Sequence, residues 1–174
     1  MLGEDDSEGT LKEEHPGPGE LESAFFKDTL KNVVSRSNPV VDEQTTLDEV
    51  LRQMRAGKHG SALVTRAGKL SGIFTERDVL MKIAGRPIDL GHTPVAAYMT
   101  PNPQTLPVDA TVAYALNKMV IEGFRHLPLM DAQGSPIGVV SMREVVEYVA
   151  HAFPKDVLNL PPMPGQTFRE REGA

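Results

Sequence analysis

Gly72-Ile73-Phe74-Thr75-Glu76-Arg77-Asp78 returns as Gly138-Val139-Val140-Ser141-Met142-Arg143-Glu144, 66 residues later. The same offset aligns Thr45 with Thr111, Gly57 with Gly123, Leu63 with Leu129 and Gly68 with Gly134. A constant, gapless offset over so long a span means two copies of one structural unit in tandem. A unit of about 60 residues buries only about 60% of its unfolded surface. Packing the apolar faces of two such units together relieves that shortage, so the repeat predicts a pseudo-twofold pair.

Hydrophobic periodicity fills in each unit. Thr45-Thr46-Leu47-Asp48-Glu49 offers an N-cap with an acid three residues on. Leu47, Val50, Leu51 and Met54 then fall at helical spacing, and Gly57 ends the helix. Ser61–Thr65 and Leu70–Thr75, joined by Arg66-Ala67-Gly68-Lys69, read as a hairpin. A helix returns from Glu76 to about Ala84, with Val79, Leu80 and Ile83 on one side. The unit is β-α-β-β-α. Its second copy has Thr111 as cap, a helix with Val112, Ala115, Leu116 and Met119, and Gly123 as stop. A hairpin over Leu127–Met130 and Ile137–Ser141 follows, then a closing helix with Val145, Val146 and Val149 facing inward. Ahead of the first unit, Phe26, Leu30, Val33 and Val34 make one stripe of a helix over 20–34, expected to pack on that unit. The fold class is therefore α/β (α+β). The division is an acidic flexible tail (1–19), the leading helix with the first unit (20–90), the second unit (91–152) and a Pro-rich tail (153–174) that keeps Val157, Leu158 and Leu160.

Composition narrows the function classes. The net charge of −6 argues against a nucleic-acid partner, since such proteins present a basic face. No apolar run approaches the roughly 20 residues of a membrane span. The acidic start Met1-Leu2-Gly3-Glu4-Asp5-Asp6 is unlike a secretory signal, so a cytoplasmic protein is expected. Without cysteine there are no disulfides and no thiolate chemistry. The five histidines lack metal-ligand spacing, so no metal site is expected. No Gly-x-Ser-x-Gly or phosphate-loop signature occurs, and no enzyme activity is expected.

The repeated motif carries chemistry of its own. Glycine lets a ligand approach the backbone. A Thr or Ser ending a strand before a helix can donate to phosphate, aided by helix amides. An acid three residues on can accept both hydroxyls of a ribose. Those positions are Thr75 and Asp78 in the first copy, and Ser141 and Glu144 in the second. The same residues also suit plain N-caps and first-turn acids. Glu144 is one methylene longer than Asp, roughly 1.5 Å. Arg77 and Arg143 add positive charge between hydroxyl and acid, or pair with acids elsewhere in the fold.

Gly-apolar-x-Thr/Ser-x-x-Asp, the run Met99-Thr100-Pro101-Asn102-Pro103 and the run Arg125-His126-Leu127-Pro128-Leu129 together resemble the cystathionine-β-synthase (CBS) domains, which occur as tandem pairs. The resemblance covers about residues 29–151. It implies a regulatory module that binds AMP, ADP, ATP or S-adenosylmethionine in clefts between the units, with magnesium only alongside ATP. It implies a homodimer and an unidentified regulated protein as partner. Basic residues that hold phosphate are then expected at Arg125 and His126, and at Lys58 and His59 in the first unit. Adenine contacts are expected along Ser35–Val40 and Pro101–Leu106, with Val40, Thr105 and Pro128 among the ligand-contacting positions. The alternative is a ligand-free dimerisation or scaffold module.

Overall fold

The computed structural model describes residues 26–34 and 38–152. Both expected tails, the start of the leading helix and Ser35–Ser37 lie outside the described residues. The first unit comprises β1 (Val40–Asp42), α1 (Leu47–Gly57), β2 (Ser61–Arg66), β3 (Lys69–Thr75) and α2 (Glu76–Asp78), which runs on as a π-helix, Val79–Ile83. Next come β4 (Thr100–Pro101), β5 (Leu106–Pro107), α3 (Val112–Glu122), β6 (His126–Met130), β7 (Pro136–Ser141) and α4 (Met142–Ala152). One sheet has the order β1-β2-β3-β4 and the other β5-β6-β7. β1 runs parallel to β2, as β5 does to β6, and each hairpin is antiparallel.

Local sequence accounts for the elements. Thr46 caps α1, its hydroxyl accepting from Glu49 N at 3.4 Å, and Thr111 caps α3 through Tyr114 N at 3.2 Å. The stripe Leu47, Val50, Leu51, Met54 is buried against Ala62, Val64 and Phe74 of the hairpin. Val112, Ala115 and Met119 are buried against Leu127, Leu129 and Val140. Full burial of each Val, Leu, Met or Phe side chain among them contributes about 1.5–3 kcal/mol. The turn Ala67-Gly68 has positive φ at both residues, the two-residue geometry that matches strand twist.

Four expectations need correction. The repeat is not gapless. Pairing of Val64 with Gly72 and of Leu129 with Gly138 shows that β2 maps onto β6 at an offset of 65, whereas β3 maps onto β7 at 66. The extra residue sits in the second hairpin turn, where the Asp131 carboxylate accepts from Gln133 N and Ser135 N. Second, Gly57 is the last residue of α1 rather than its stop. Lys58 takes the left-handed cap position at φ 54°, equivalent to Gly123 at φ 73°. Third, Leu80 and Val146 are exposed, because the π-helix turns Leu80 outward and Val145 alone of the three valines on α4 is buried.

The fourth correction concerns the leading segment. Phe26 and Lys27 are helical, but the chain then bridges Thr29 to Thr111 and closes a 3-10 turn, Leu30–Asn32. Phe26 is exposed while Leu30 is buried in the core of the second unit, not the first. Leu30 N donates to Ala110 O at 2.9 Å, Val112 N donates to Asp28 O at 2.9 Å, and the Tyr148 hydroxyl donates to the Asp28 carboxylate. The connection does the converse. Pro94 bridges Thr46, Val95 is buried in the first core, and β4 extends the first sheet. Leu30 and Val95 are repeat equivalents, so each unit's core is completed by the segment that precedes the other.

Candidate functional site

Two clefts lie where the units face each other. The first, of about 280 Å³, is lined by Thr75, Arg77 and Asp78 of the first unit, by Thr100 and Asn102–Gln104, and by Phe124–Leu127 of the second unit. The second, of about 620 Å³, joins Ser141, Arg143 and Glu144 to Asn38 and Lys58–Gly60, again with Arg77, Arg125 and His126. The clefts are thus built from equivalent residues exchanged between the units. Each hydroxyl–acid motif faces the turn of the opposite unit. The basic residues expected beside Ser141 also face Thr75, and Lys58 and His59 face Ser141 rather than Thr75.

The strand-to-helix junction fixes the motif side chains. Thr75 ends β3 and caps α2, accepting from Asp78 N at 3.3 Å. Asp78 Oδ2 accepts from Thr75 N at 2.9 Å and from Thr75 Oγ1 at 2.7 Å. Its Oδ1 accepts from Lys82 Nζ at 2.7 Å and from Thr100 Oγ1 at 3.3 Å. Asp78 is therefore a buried carboxylate held by four donors. Lys82 also donates to Tyr98 O at 2.8 Å, which ties the connection to the motif. Capping and cleft lining coincide at these residues. In the second unit Glu144 folds back into the same box. Its Oε2 accepts from Ser141 N at 2.6 Å and from Ser141 Oγ at 2.7 Å. The added methylene is absorbed by the side chain's bend.

Charge gathers between the clefts. Arg77 crosses to the second unit, donating to Gly123 O at 3.4 Å. Arg143 lies along its own helix, donating to Glu147 at 2.7 Å. His126 packs on Gly60, where an added Cβ would come within 2.9 Å of Nε2. Burial holds the His126 imidazole below the usual histidine range. Glu76 opposes that shift, Arg125 reinforces it, and Glu144 and Arg77 act more weakly in opposite senses.

Of the other expected positions, Val40, Thr105 and Pro128 line neither cleft. Val40 is exposed on β1, Thr105 precedes β5, and Pro128 is buried in β6 opposite Val139. Asn38 and Asn102–Gln104, which fall in the expected segments Ser35–Val40 and Pro101–Leu106, line the clefts, and so do Thr100, Phe124, Glu76 and Gly60, which were not expected as ligand contacts. Asn38 Nδ2 donates to Ser61 Oγ at 3.2 Å, satisfying a buried hydroxyl. A signal for Gly60 existed, since a glycine directly before a buried strand marks close backbone approach.

Comparison with known proteins settles the family. The CBS domain is matched twice, over residues 30–85 and 95–151. The chain belongs to the CBS-domain family. It is 31% identical over 136 residues to the CBS domain-containing protein CBSCBSPB5 of Arabidopsis thaliana, an alignment covering 76% of this chain and 24% of that protein. The chain thus spans about a quarter of that relative's length. It is 36% identical over 107 residues to the 17.7 kDa protein in the bps2 3′ region of Acidianus ambivalens, covering 61% and 63% of the two chains. Among solved structures, the CBS-domain protein ATU1752 of Agrobacterium tumefaciens superposes with a TM-score of 0.62 at 28% identity, over 69% of this chain and 98% of that one. CBSX2, solved in complex with AMP, superposes at 0.60 with 22% identity, over 71% and 97%. The CBS domain of the bacterial CNNM/CorC Mg2+ transporter family, solved in complex with ATP, superposes at 0.64 with 18% identity, over 75% and 93%.

Proposed function

We propose that this CBS pair is a regulatory module that senses an adenosine-containing nucleotide in the clefts between its units. The carrying observation is that each hydroxyl–acid junction opens onto a cleft walled by basic residues of the opposite unit. The occurrence of AMP in the CBSX2 structure and of ATP in the transporter domain supports this ligand class. The ribose takes the acid, the phosphate takes the hydroxyl and the helix amides, and Arg77, Arg125 and His126 balance its charge. Magnesium, where present, accompanies ATP. Because each cleft is bounded by both units, an occupant favours one packing of the pair, and an unidentified partner reads that shift. Calorimetric titration with AMP, ADP, ATP and S-adenosylmethionine tests the reading. Heat with at least one, lost in part with Asp78→Ala, is expected, whereas no heat and no thermal shift with any of them defeats it.

One observation favours a second reading, a ligand-free dimerisation module. The Asp78 carboxylate already holds four internal donors, so a ribose must displace Thr100 or Lys82 to reach it. Exposed Leu80, Met81, Val120 and Ile121 give helices of both units an apolar surface for a second copy. Light scattering showing a dimer that Ile121→Asp dissociates, together with silence toward every nucleotide, would select this reading. Among the described residues no helix is long and apolar enough to cross a membrane.

A further inference from the structure

The two halves of the repeat differ where Gly60 meets His126. At the offset of 65 that governs β2 and β6, Arg125 and His126 are equivalent to Gly60 and Ser61. The first unit therefore carries no basic pair at this position. Lys58 and His59 stand two residues earlier, just after α1, and line only the second of the two clefts. Gly60 leaves room for the opposing imidazole: His126 Nε2 occupies space that any Cβ at 60 would crowd, at 2.9 Å. The Arg125–His126 pair thus sits at the meeting line of the units. Arg77, Arg125 and His126 line both clefts, and Arg77 is anchored there by its bond to Gly123 O.

We propose that Arg125 and His126 form one phosphate-binding pair shared by the two clefts, so that two nucleotides bind with negative coupling. The inference rests on the nucleotide reading above. A phosphate in either cleft takes up the same guanidinium and imidazole. The second phosphate then meets fewer free donors and the charge of the first. Burial holds the His126 imidazole below the usual histidine range, so the pair has little spare positive charge for a second anion. Glu76 and Glu144 flank the pair and set negative charge beside it.

Titration of the full chain with AMP and with ADP tests this. Two binding events are expected, the second about tenfold weaker than the first with AMP, and the gap should widen with ADP. Arg125→Ala should weaken both events, and His126→Gln should do so to a smaller degree. An unchanged far-ultraviolet spectrum and melting point will confirm that each variant folds. Weakening of one event only by Arg125→Ala, an equal gap for AMP and ADP, or a single binding event overturns the shared pair and leaves the nucleotide reading standing. No heat from AMP or ADP overturns the shared pair, and silence toward ATP and S-adenosylmethionine as well overturns the nucleotide reading with it.

Discussion

Asp78 and His126 show how much of this molecule's chemistry is decided by single side chains. Asp78 is buried, and an ionised carboxylate in that setting needs donors and a counter-charge. Thr75, Thr100 and Lys82 supply them. Lys82→Met removes the only cation among those donors. Since Lys82 itself is part-exposed, a loss of about 1–2 kcal/mol is expected in urea unfolding. His126 sets a pH dependence. Its folded pKa lies below 6.5, so between that value and 6.5 the unfolded chain binds a proton that the fold refuses. Stability contributed by this residue is complete above 6.5 and declines as pH falls through that window. The groups that face it are Glu76, Arg125, Glu144 and Arg77. Denaturant midpoints measured from pH 7.5 downward should fall in the native chain, and His126→Gln should flatten that slope.

Helices and strands were legible wherever periodicity and caps agreed. The stripe Leu47, Val50, Leu51, Met54 and the caps Thr46 and Thr111 stand where pattern placed them. The one-residue slip was hidden by two coincidences. A Thr45-Thr46 doublet lets either offset find a cap, and Gly57 beside Lys58 lets either find a glycine near the helix end. Lys58 adopts a left-handed backbone that sequence assigns to glycine. Lys58→Gly should therefore stabilise α1 by about 0.5–1 kcal/mol, because the strain relieved exceeds the entropy glycine adds to the unfolded chain. A raised melting temperature is the readout, and an unchanged or lowered one would show that Lys58 is held by its surroundings. The hydroxyl–acid junctions were legible as motifs, but their partners across the cleft were not, since spacing within a strand says nothing about which unit it faces.

Across the whole molecule, the exchange of leading segments is the feature no periodicity reveals. An apolar stripe states that a segment will be buried, not against what. Leu30 is fully buried among Leu106, Val112 and Leu129. Leu30→Ala should cost about 3 kcal/mol, and hydrogen exchange should show the loss in α3 and β6 before α1 and β2. Tyr148 reinforces the same seam. Burial and the bond to Asp28 push its phenol up to about 12, so the hydroxyl keeps its proton at any ordinary pH. Tyr148→Phe should lower stability by about 1 kcal/mol in chemical unfolding.

The traded segments also bear on how the protein is made. As the chain leaves the ribosome, the first half cannot close until Val95 and the strand at Thr100–Pro101 have emerged. Leu30, synthesised long before, has no lasting home until the hairpin ending at Ser141 arrives. The earliest described core residue must wait for nearly the last, so neither half can mature alone, and a gene encoding one copy would specify an incomplete fold.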